Sequence, residues 1–201
     1  KLMNELLDAA GINHAVDISS DNVEDIVAFA NKTGYPQVMK VVGPVHKSDV
    51  GGVSLNVKDE AHVRAEFERL IKIKDTYAVQ AYPMLFGTEI FIGAMRTPLF
   101  GHQVLCGLGG IFVEVLKDVQ AGLAPIGVAE AKEMIKRLRG YKIIQGVRGQ
   151  DPVNEDLYAD QIARVAALVQ AAPEIAEMDL NPLLGSPTAV VAVDARIRIE
   201  K

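Results

Sequence analysis

The sequence predicts an α+β protein built as two lobes that meet near residue 85. Three observations lead there. Helical and strand patterns are mixed along the first 85 residues. Hairpin patterns dominate the rest. A length of 201 residues exceeds one ordinary domain of about 150 and leaves room for two small ones. The expected division is 1–86 for an N-terminal lobe and 87–201 for a C-terminal lobe.

The elements follow in order. Leu2, Leu6 and Leu7 share a helical face, and Gly11 closes that helix. Asp21 and Asn22 open a second helix with Val23, Ile26, Val27 and Ala30 on one side and Gly34 beyond its end. Gln37 to Val42 is short and mostly apolar, as in a buried strand. Val53 to Val57 alternates as a half-buried strand. Asp59 to Ile73 carries a helical stripe of Val63, Phe67, Leu70 and Ile71. Tyr77 to Ala81 is a further strand. Thr88 to Arg96 and Gln103 to Leu105 form antiparallel strands around a Pro98–Gly101 turn. Phe112 to Leu116 and Asp118 to Ala124 are weaker strands. Ala129 to Leu138 and Asp156 to Val169 are helices. Ala176 to Leu184 and Thr188 to Ile197 make a final hairpin around Gly185-Ser186-Pro187.

Composition removes several classes of function. The balance of 21 Lys+Arg against 26 Asp+Glu gives a net charge of −5, which argues against a general nucleic-acid binder. No uncharged apolar run reaches the roughly 18 residues of a membrane span. A single cysteine, Cys106, excludes an internal disulfide framework and suits the reducing cytoplasm, where the protein is expected. The chain does not begin with Met and opens inside a helix, so a longer parent protein is expected.

Three stretches could carry chemistry. The first is Lys40-Val-Val-Gly-Pro-Val-His46-Lys47-Ser48-Asp49-Val-Gly51-Gly52. An ammonium in an apolar strand is costly without a partner, so Lys40 should face an anion. Backbone N–H groups of the glycine loop can cradle phosphate oxygens. The same residues would also serve as a snorkelling lysine beside a solvated turn. The second stretch is Asp179-Leu-Asn181-Pro182 with Val193-Asp194-Ala-Arg196. Asp179 and Asn181 share a strand face, and Asp194 lies within reach across the hairpin. Carboxylate and amide oxygens gathered this way suit Mg²⁺, although alternation alone also produces such a face. The third is Gly107-Leu-Gly109-Gly110, equally readable as a tight turn. Cys106 beside it reads as a small core residue.

In this order, and joined by Gly34-Tyr-Pro36, Gly110-Ile-Phe-Val-Glu-Val-Leu-Lys-Asp118, Gly140-Tyr141 and Gly146-Val-Arg148-Gly149, the blocks resemble the ATP-grasp domain of the ADP-forming (NDP-forming) acyl-CoA synthetases. The likeness runs over nearly the whole chain. The succinyl-CoA synthetase beta subunit is similar more faintly. The resemblance implies an ATP-grasp fold, two α/β lobes with a nucleotide cleft between them. It implies ATP/ADP and Mg²⁺ as cofactors. Lys40 would meet phosphates, with Lys47, Ser48, Gly51 and Gly52 lining the loop. The strand around Gln80, Ala81 and Tyr82 would pair its backbone with adenine. Glu89 would lie at the ribose or phosphate side, and Gly109, Gly110 and Arg148 would line the rest of the cleft. Asn181 and Asp194, joined by Asp179, would hold the metal. His46 would be catalytic, relaying phosphate through phosphohistidine. Neutral imidazole is a competent nucleophile near neutral pH.

Two departures stand out. The loop ahead of His46 is shorter than is usual in the family. The hinge reads Gln80-Ala81-Tyr82 where Gln-Glu-Met is usual. The expected reaction is phosphoryl transfer between phosphohistidine and ADP, coupled to acyl-CoA/carboxylate interconversion by an acid–thiol ligase. The expected partners are the CoA-binding and CoA-ligase domains, on the same chain or an alpha subunit, and the full-length form is expected to be oligomeric. Neither nucleic acid nor membrane is an expected partner. The alternatives are a regulatory or scaffolding ATP-grasp module, as in a fusion to an acetyltransferase, and a carboxylate–amine ligase.

Overall fold

A computed structural model describes residues 2–43, 51–110, 117–147 and 149–200. Its contacts group residues 15–85 into a smaller unit, and residues 1–14 with 86–201 into a larger one.

The smaller unit is a four-stranded antiparallel sheet with two helices on one face. In it lie β1 (Ile18–Ser20), α2 (Val23–Thr33), β2 (Gln37–Val42), β3 (Val53–Val57), α3 (Glu60–Leu70) and β4 (Ala78–Pro83), following α1 (Leu2–Ala9) of the larger unit. The strand order is β1-β4-β2-β3. Each helix starts where a side chain captures an orphan N–H. The Asn22 amide oxygen accepts from the Glu24 N–H at 3.1 Å, and the Asp59 carboxylate accepts from the His62 N–H at 2.8 Å. Ile26 and Ala30 of α2 and Val63 and Leu70 of α3 close over Met39, Val41, Val79 and Ala81. Strand alternation therefore turns Lys40, Gln80 and Tyr82 to the opposite face.

In the larger unit, β5 (Thr88–Thr97), β6 (Gly101–Leu108) and β7 (Val119–Leu123) are followed by α4 (Val128–Lys136), α5 (Tyr141–Ile144) and α6 (Glu155–Ala171). Strands β8 (Ile175–Gly185), β9 (Val190–Ala192) and β10 (Ala195–Ile199) complete it. The sheet runs β10-β8-β5-β6-β7, with β9 also on β8. Ile90, Ile92, Val104, Cys106, Met178 and Leu180 pack against Met134 and Ile135 of α4 and Ile162 and Val165 of α6.

Three differences from the sequence expectation have physical causes. Helix α1 was expected in the first lobe. Its Leu7 instead joins Ile12 in the core of the larger unit. The helix ends in a Schellman pair, Ile12 N–H to Leu7 O at 2.8 Å and Gly11 N–H to Asp8 O at 2.9 Å, which turns Ile12 back onto Leu7. The expected strand 188–197 is two strands, β9 and β10, in one common register with β8. The break at Val193-Asp194 falls opposite Asn181-Pro182, and Pro182 has no N–H to give the ladder. The single-turn helix α5 was not expected. It is nucleated by the buried Asp118 carboxylate, which accepts from the Arg139 and Gly140 N–H groups at 3.0 and 2.6 Å.

Candidate functional site

In the smaller unit Lys40 is buried, at 4% exposure. It stands opposite Gln80 on β4, while Val38 stands opposite Tyr82. The Lys40 ammonium lies over the Tyr82 ring, 5.2 Å from its centroid. Gln80 Nε2 donates to Asp17 Oδ2 at 2.6 Å, a partner that no sequence pattern marked. Ala81 points into the core and is fully buried. The expected backbone pairing of residues 80–82 with adenine needs correcting in part. Val79 to Ala81 pair with β1 on one side and β2 on the other, so their polar groups serve the sheet. Only from Tyr82 onward does the strand run past the end of β1.

Gly51 and Gly52, just ahead of β3, are tied by their carbonyls. Gly52 O accepts from the Val41 N–H at 2.9 Å. Gly51 O accepts from Arg69 Nη1 at 2.7 Å. Arg69 Nη2 also reaches Ser54 Oγ at 2.7 Å and Glu66 at 2.8 Å. The Arg69 guanidinium, with the Ser54 hydroxyl, holds the Glu66 carboxyl below its ordinary range. His46, Lys47 and Ser48 lie outside the described residues, as does Arg148.

In the larger unit the predicted residues converge. Strand β8 carries a bulge: Ile90 pairs with Leu183 but Ile92 with Leu180, so Asn181 and Pro182 together oppose Phe91. A bulge re-aims a side chain. Here the Asn181 Oδ1 accepts from the Gly110 N–H at 3.4 Å. Gly109 N–H donates to Glu89 O at 2.7 Å, and a Cβ on Gly109 would meet the Ile90 carbonyl at 2.7 Å. Gly110 has φ +58, and the Glu89 carboxylate occupies the space a Cβ would need. The backbone clash restricts position 109 to glycine, and at position 110 the positive φ strains a larger residue. The common register of β9 and β10 sets Asp194 opposite Asn181. Asp179 is paired in register with Arg196. Partial enclosure by the protein raises the Asp179 carboxyl; Arg196 opposes this and the charge of Asp194 adds to it.

Glu89 also opens on a cavity of about 710 Å³ lined by Phe86, Thr88, Ile143, Val147 and Asp151. The one-turn helix α5 that supplies Ile143 was invisible to helical periodicity. Tyr158 was hidden too, because it reads as one more apolar residue of α6. Its hydroxyl lies among the Phe91 carbonyl (2.8 Å) and the Gly107 N–H and carbonyl (both 3.0 Å), fixing the strand ahead of the glycine corner. Cys106 is inert: burial, reinforced by Asp118, pushes its thiol up to about 12.

Among the described residues no three His, Cys, Asp or Glu side chains gather into a metal-holding group. The Asn181 amide with the Asp194 and Asp179 carboxylates is an all-oxygen set. Such a set fits a hard ion that keeps most of its waters, as Mg²⁺ does, and does not fit zinc. Among the described residues no helix is long and apolar enough to cross a membrane.

A split pair of α/β units, a buried lysine on one and a bulged acidic hairpin on the other define the ATP-grasp class. The family model for the ATP-grasp domain matches residues 2–199, and the chain belongs to that family. Over 186 residues it is 43% identical to the ADP-forming acetate–CoA ligase I subunit beta of Pyrococcus furiosus, covering 88% of this chain and 80% of that one. A solved acetyl-coenzyme A synthetase 1 of Candidatus Korarchaeum cryptofilum, in complex with coenzyme A and Ca-AMPCP, superposes with a TM-score of 0.91. It is 35% identical and covers 98% of this chain and 90% of that one. A second structure of that synthetase holds coenzyme A and Mg-AMPPCP, with its phosphohistidine segment pointing towards the nucleotide binding site. Its TM-score is 0.86, at 37% identity, with the same two coverages.

Proposed function

We propose that this chain is the nucleotide-binding part of an ADP-forming acyl-CoA synthetase. The overall reaction is acyl-CoA + ADP + phosphate ⇌ carboxylic acid + CoA + ATP. The chain performs the nucleotide half of it. Lys40 binds phosphate oxygens as a point charge, worth about 4 kcal/mol at 4 Å before desolvation. Asn181 and Asp194 hold Mg²⁺, with Asp179 alongside. The bound ion supplies charge neutralisation on the transferring phosphates. Glu89 accepts from ribose hydroxyls. Tyr82 and the residues after it present backbone to the adenine edge.

The observation that carries this reading is the hairpin register that sets Asp194 opposite Asn181 beside the Gly109–Gly110 corner. Family membership and the nucleotide-bound relatives support it.

His46 is the relay. Its unprotonated ring nitrogen attacks the γ-phosphorus of ATP, the P–O bond to ADP breaks, and ADP leaves with the bond pair. In the synthetic direction the phosphate passes from a histidine segment on a partner domain through His46 to ADP. The CoA-binding and CoA-ligase domains, on the same polypeptide or an alpha subunit, complete turnover in the cytoplasm.

The test is to incubate the purified chain with γ-labelled ATP and Mg²⁺. Acid-labile phosphate should appear on the chain and be absent from His46→Asn, and no acyl-CoA should turn over. Labelling that survives His46→Asn would overturn the relay. Tight nucleotide binding with no labelling would favour a sensor module instead. Full turnover by the chain alone would contradict the division of labour.

A further inference from the structure

We propose that the buried carboxylate of Asp118 is a positioning residue for the cavity on which Glu89 opens: it fixes the start of α5, and α5 sets one wall of that cavity. The consequence for nucleotide binding rests on the reading above. Two stretches of chain face the cavity. The start of β5 brings Phe86, Thr88 and Glu89, and the segment 143–151 brings Ile143, Val147 and Asp151. The first stretch is held by the sheet, where Thr88 pairs with Gly185. The second belongs to no strand, and its helix has four residues. That is far below the roughly 12 residues at which a helix begins to stand by itself. Its position must be imposed from outside.

Asp118 imposes it. The side chain is 4% exposed, and its two oxygens accept from consecutive backbone N–H groups, Arg139 at 3.0 Å and Gly140 at 2.6 Å. A helix start leaves such donors without intrahelical partners. Bonds to an ionised acceptor are stronger than neutral ones. They are also hard to give up, because shifting α5 would leave a buried charge unpaired. The Arg139 guanidinium, 4.0 Å away on an exposed side chain, adds little. Packing sets the rest of the pose. Gly140 lies against β6, where a Cβ would meet Leu108 Cδ1 at 2.5 Å and Asp118 Oδ2 at 3.2 Å. Ile144 is fully buried, and its carbonyl accepts from the Val153 N–H at 2.8 Å. With Ile144 in the core, its neighbour Ile143 is left to the cavity.

The test is methyl NMR on the full chain labelled at isoleucine and valine, with the Ile143 and Val147 signals assigned by their loss in Ile143→Leu and Val147→Ala. Asp118→Asn keeps the shape but turns one acceptor into a donor. It should displace both signals and leave those of Val41 and Val79, in the core of the smaller unit, in place. It should also weaken Mg²⁺–ADP binding about three- to tenfold. Val165→Ala destabilises the core of the larger unit on α6 and should leave that affinity unchanged. Unmoved Ile143 and Val147 signals in Asp118→Asn would overturn the proposal. So would rapid exchange of the Arg139 and Gly140 amide protons in the unmodified chain, a measurement that needs no variant to fold. An equal loss of affinity in Val165→Ala would reduce Asp118 to a purely structural role. If Mg²⁺–ADP leaves both methyl signals of the unmodified chain unmoved, the cavity lies outside the nucleotide site and that reading fails there, while the response to Asp118→Asn still decides what Asp118 does.

Discussion

In the smaller unit the group with chemistry to offer is a cation buried in a sheet, Lys40 over the Tyr82 ring. In the larger unit the corresponding groups are oxygens at open positions: Glu89 and Asp179 are exposed, and Asn181 and Asp194 are half-buried. The two are positioned by different means. Lys40 is aimed by its place in a four-stranded ladder and by an aromatic neighbour, both properties of regular structure. The oxygens are aimed by irregularity: a bulge at Asn181-Pro182, a ladder break at Val193-Asp194 and a tight Gly109-Gly110 corner. A buried cation is oriented by the packing around it. Acidic groups meant for a hydrated cation can stay near water, where gathering them costs less.

The contrast can be broken most severely at Asp194. Outer partners of a metal ligand are alone worth about 10–100-fold in affinity, so losing a carboxylate ligand should cost at least about a hundredfold. Asp194→Ala should accordingly lose the Mg²⁺-dependent part of the rise in melting temperature that ADP produces, read by a thermal scan with and without the metal. An unchanged Mg²⁺ response would remove Asp194 from the site.

Next comes the glycine corner. Gly110→Ala places a methyl where the Glu89 carboxylate sits and forces φ +58 on an L-residue. Strain at such a position costs roughly 1–3 kcal/mol, measurable as a lower urea midpoint. Gly127→Ala is the matched control, since nothing lies within 4 Å of a Cβ there. Equal effects of the two substitutions would show that the corner is not crowded.

Tyr158→Phe sharpens the same comparison from below. It strands the Gly107 N–H and the Phe91 carbonyl in the core and should destabilise the larger unit by about 1–3 kcal/mol. Hydrogen exchange should quicken along 105–110 and stay unchanged in β2 and β4 of the smaller unit.

The smallest effect is acid-linked and belongs to the smaller unit. Glu66 is held below its ordinary range by Arg69 and Ser54 in the folded state. Its contribution is therefore present above the unfolded carboxylate range and fades as pH falls below it. A partly exposed pair of this kind is worth up to about 1 kcal/mol. Glu66→Gln should lower stability by up to about 1 kcal/mol at neutral pH and flatten the fall in stability below about pH 4.3. An acid limb of unchanged slope would show that the Arg69–Gly51 tie does not depend on that charge.

Much of this architecture was legible in the residues. Asn22 and Asp59 announced their helices because capping is a local event. Asp194 could be brought to Asn181 from sequence because a hairpin's register follows from its turn. What escaped depended on contacts far along the chain. Nothing near Leu7 says that α1 packs with residues beyond 86. Nothing near Tyr82 says that its ring lies under a lysine forty-two positions earlier. The split of the last strand was present in the sequence as Pro182, but its effect falls on the partner strand and shows only once the pairing is known. The backbone expectation at 80–82 narrows to Tyr82 for the same reason: β1, three residues long, has no periodicity to mark it, and it pairs with Val79 to Ala81 of β4.

The central proposal is that Lys40 and Asp194 each contribute to the binding of Mg²⁺–ADP. Calorimetric titration of ADP into the chain at saturating Mg²⁺ tests it most directly, with Lys40→Met and Asp194→Asn measured alongside. Both variants should melt as the unmodified chain does without ligand and bind ADP at least about tenfold more weakly, the equivalent of 1.4 kcal/mol each. Unmodified affinity in either variant would contradict the account.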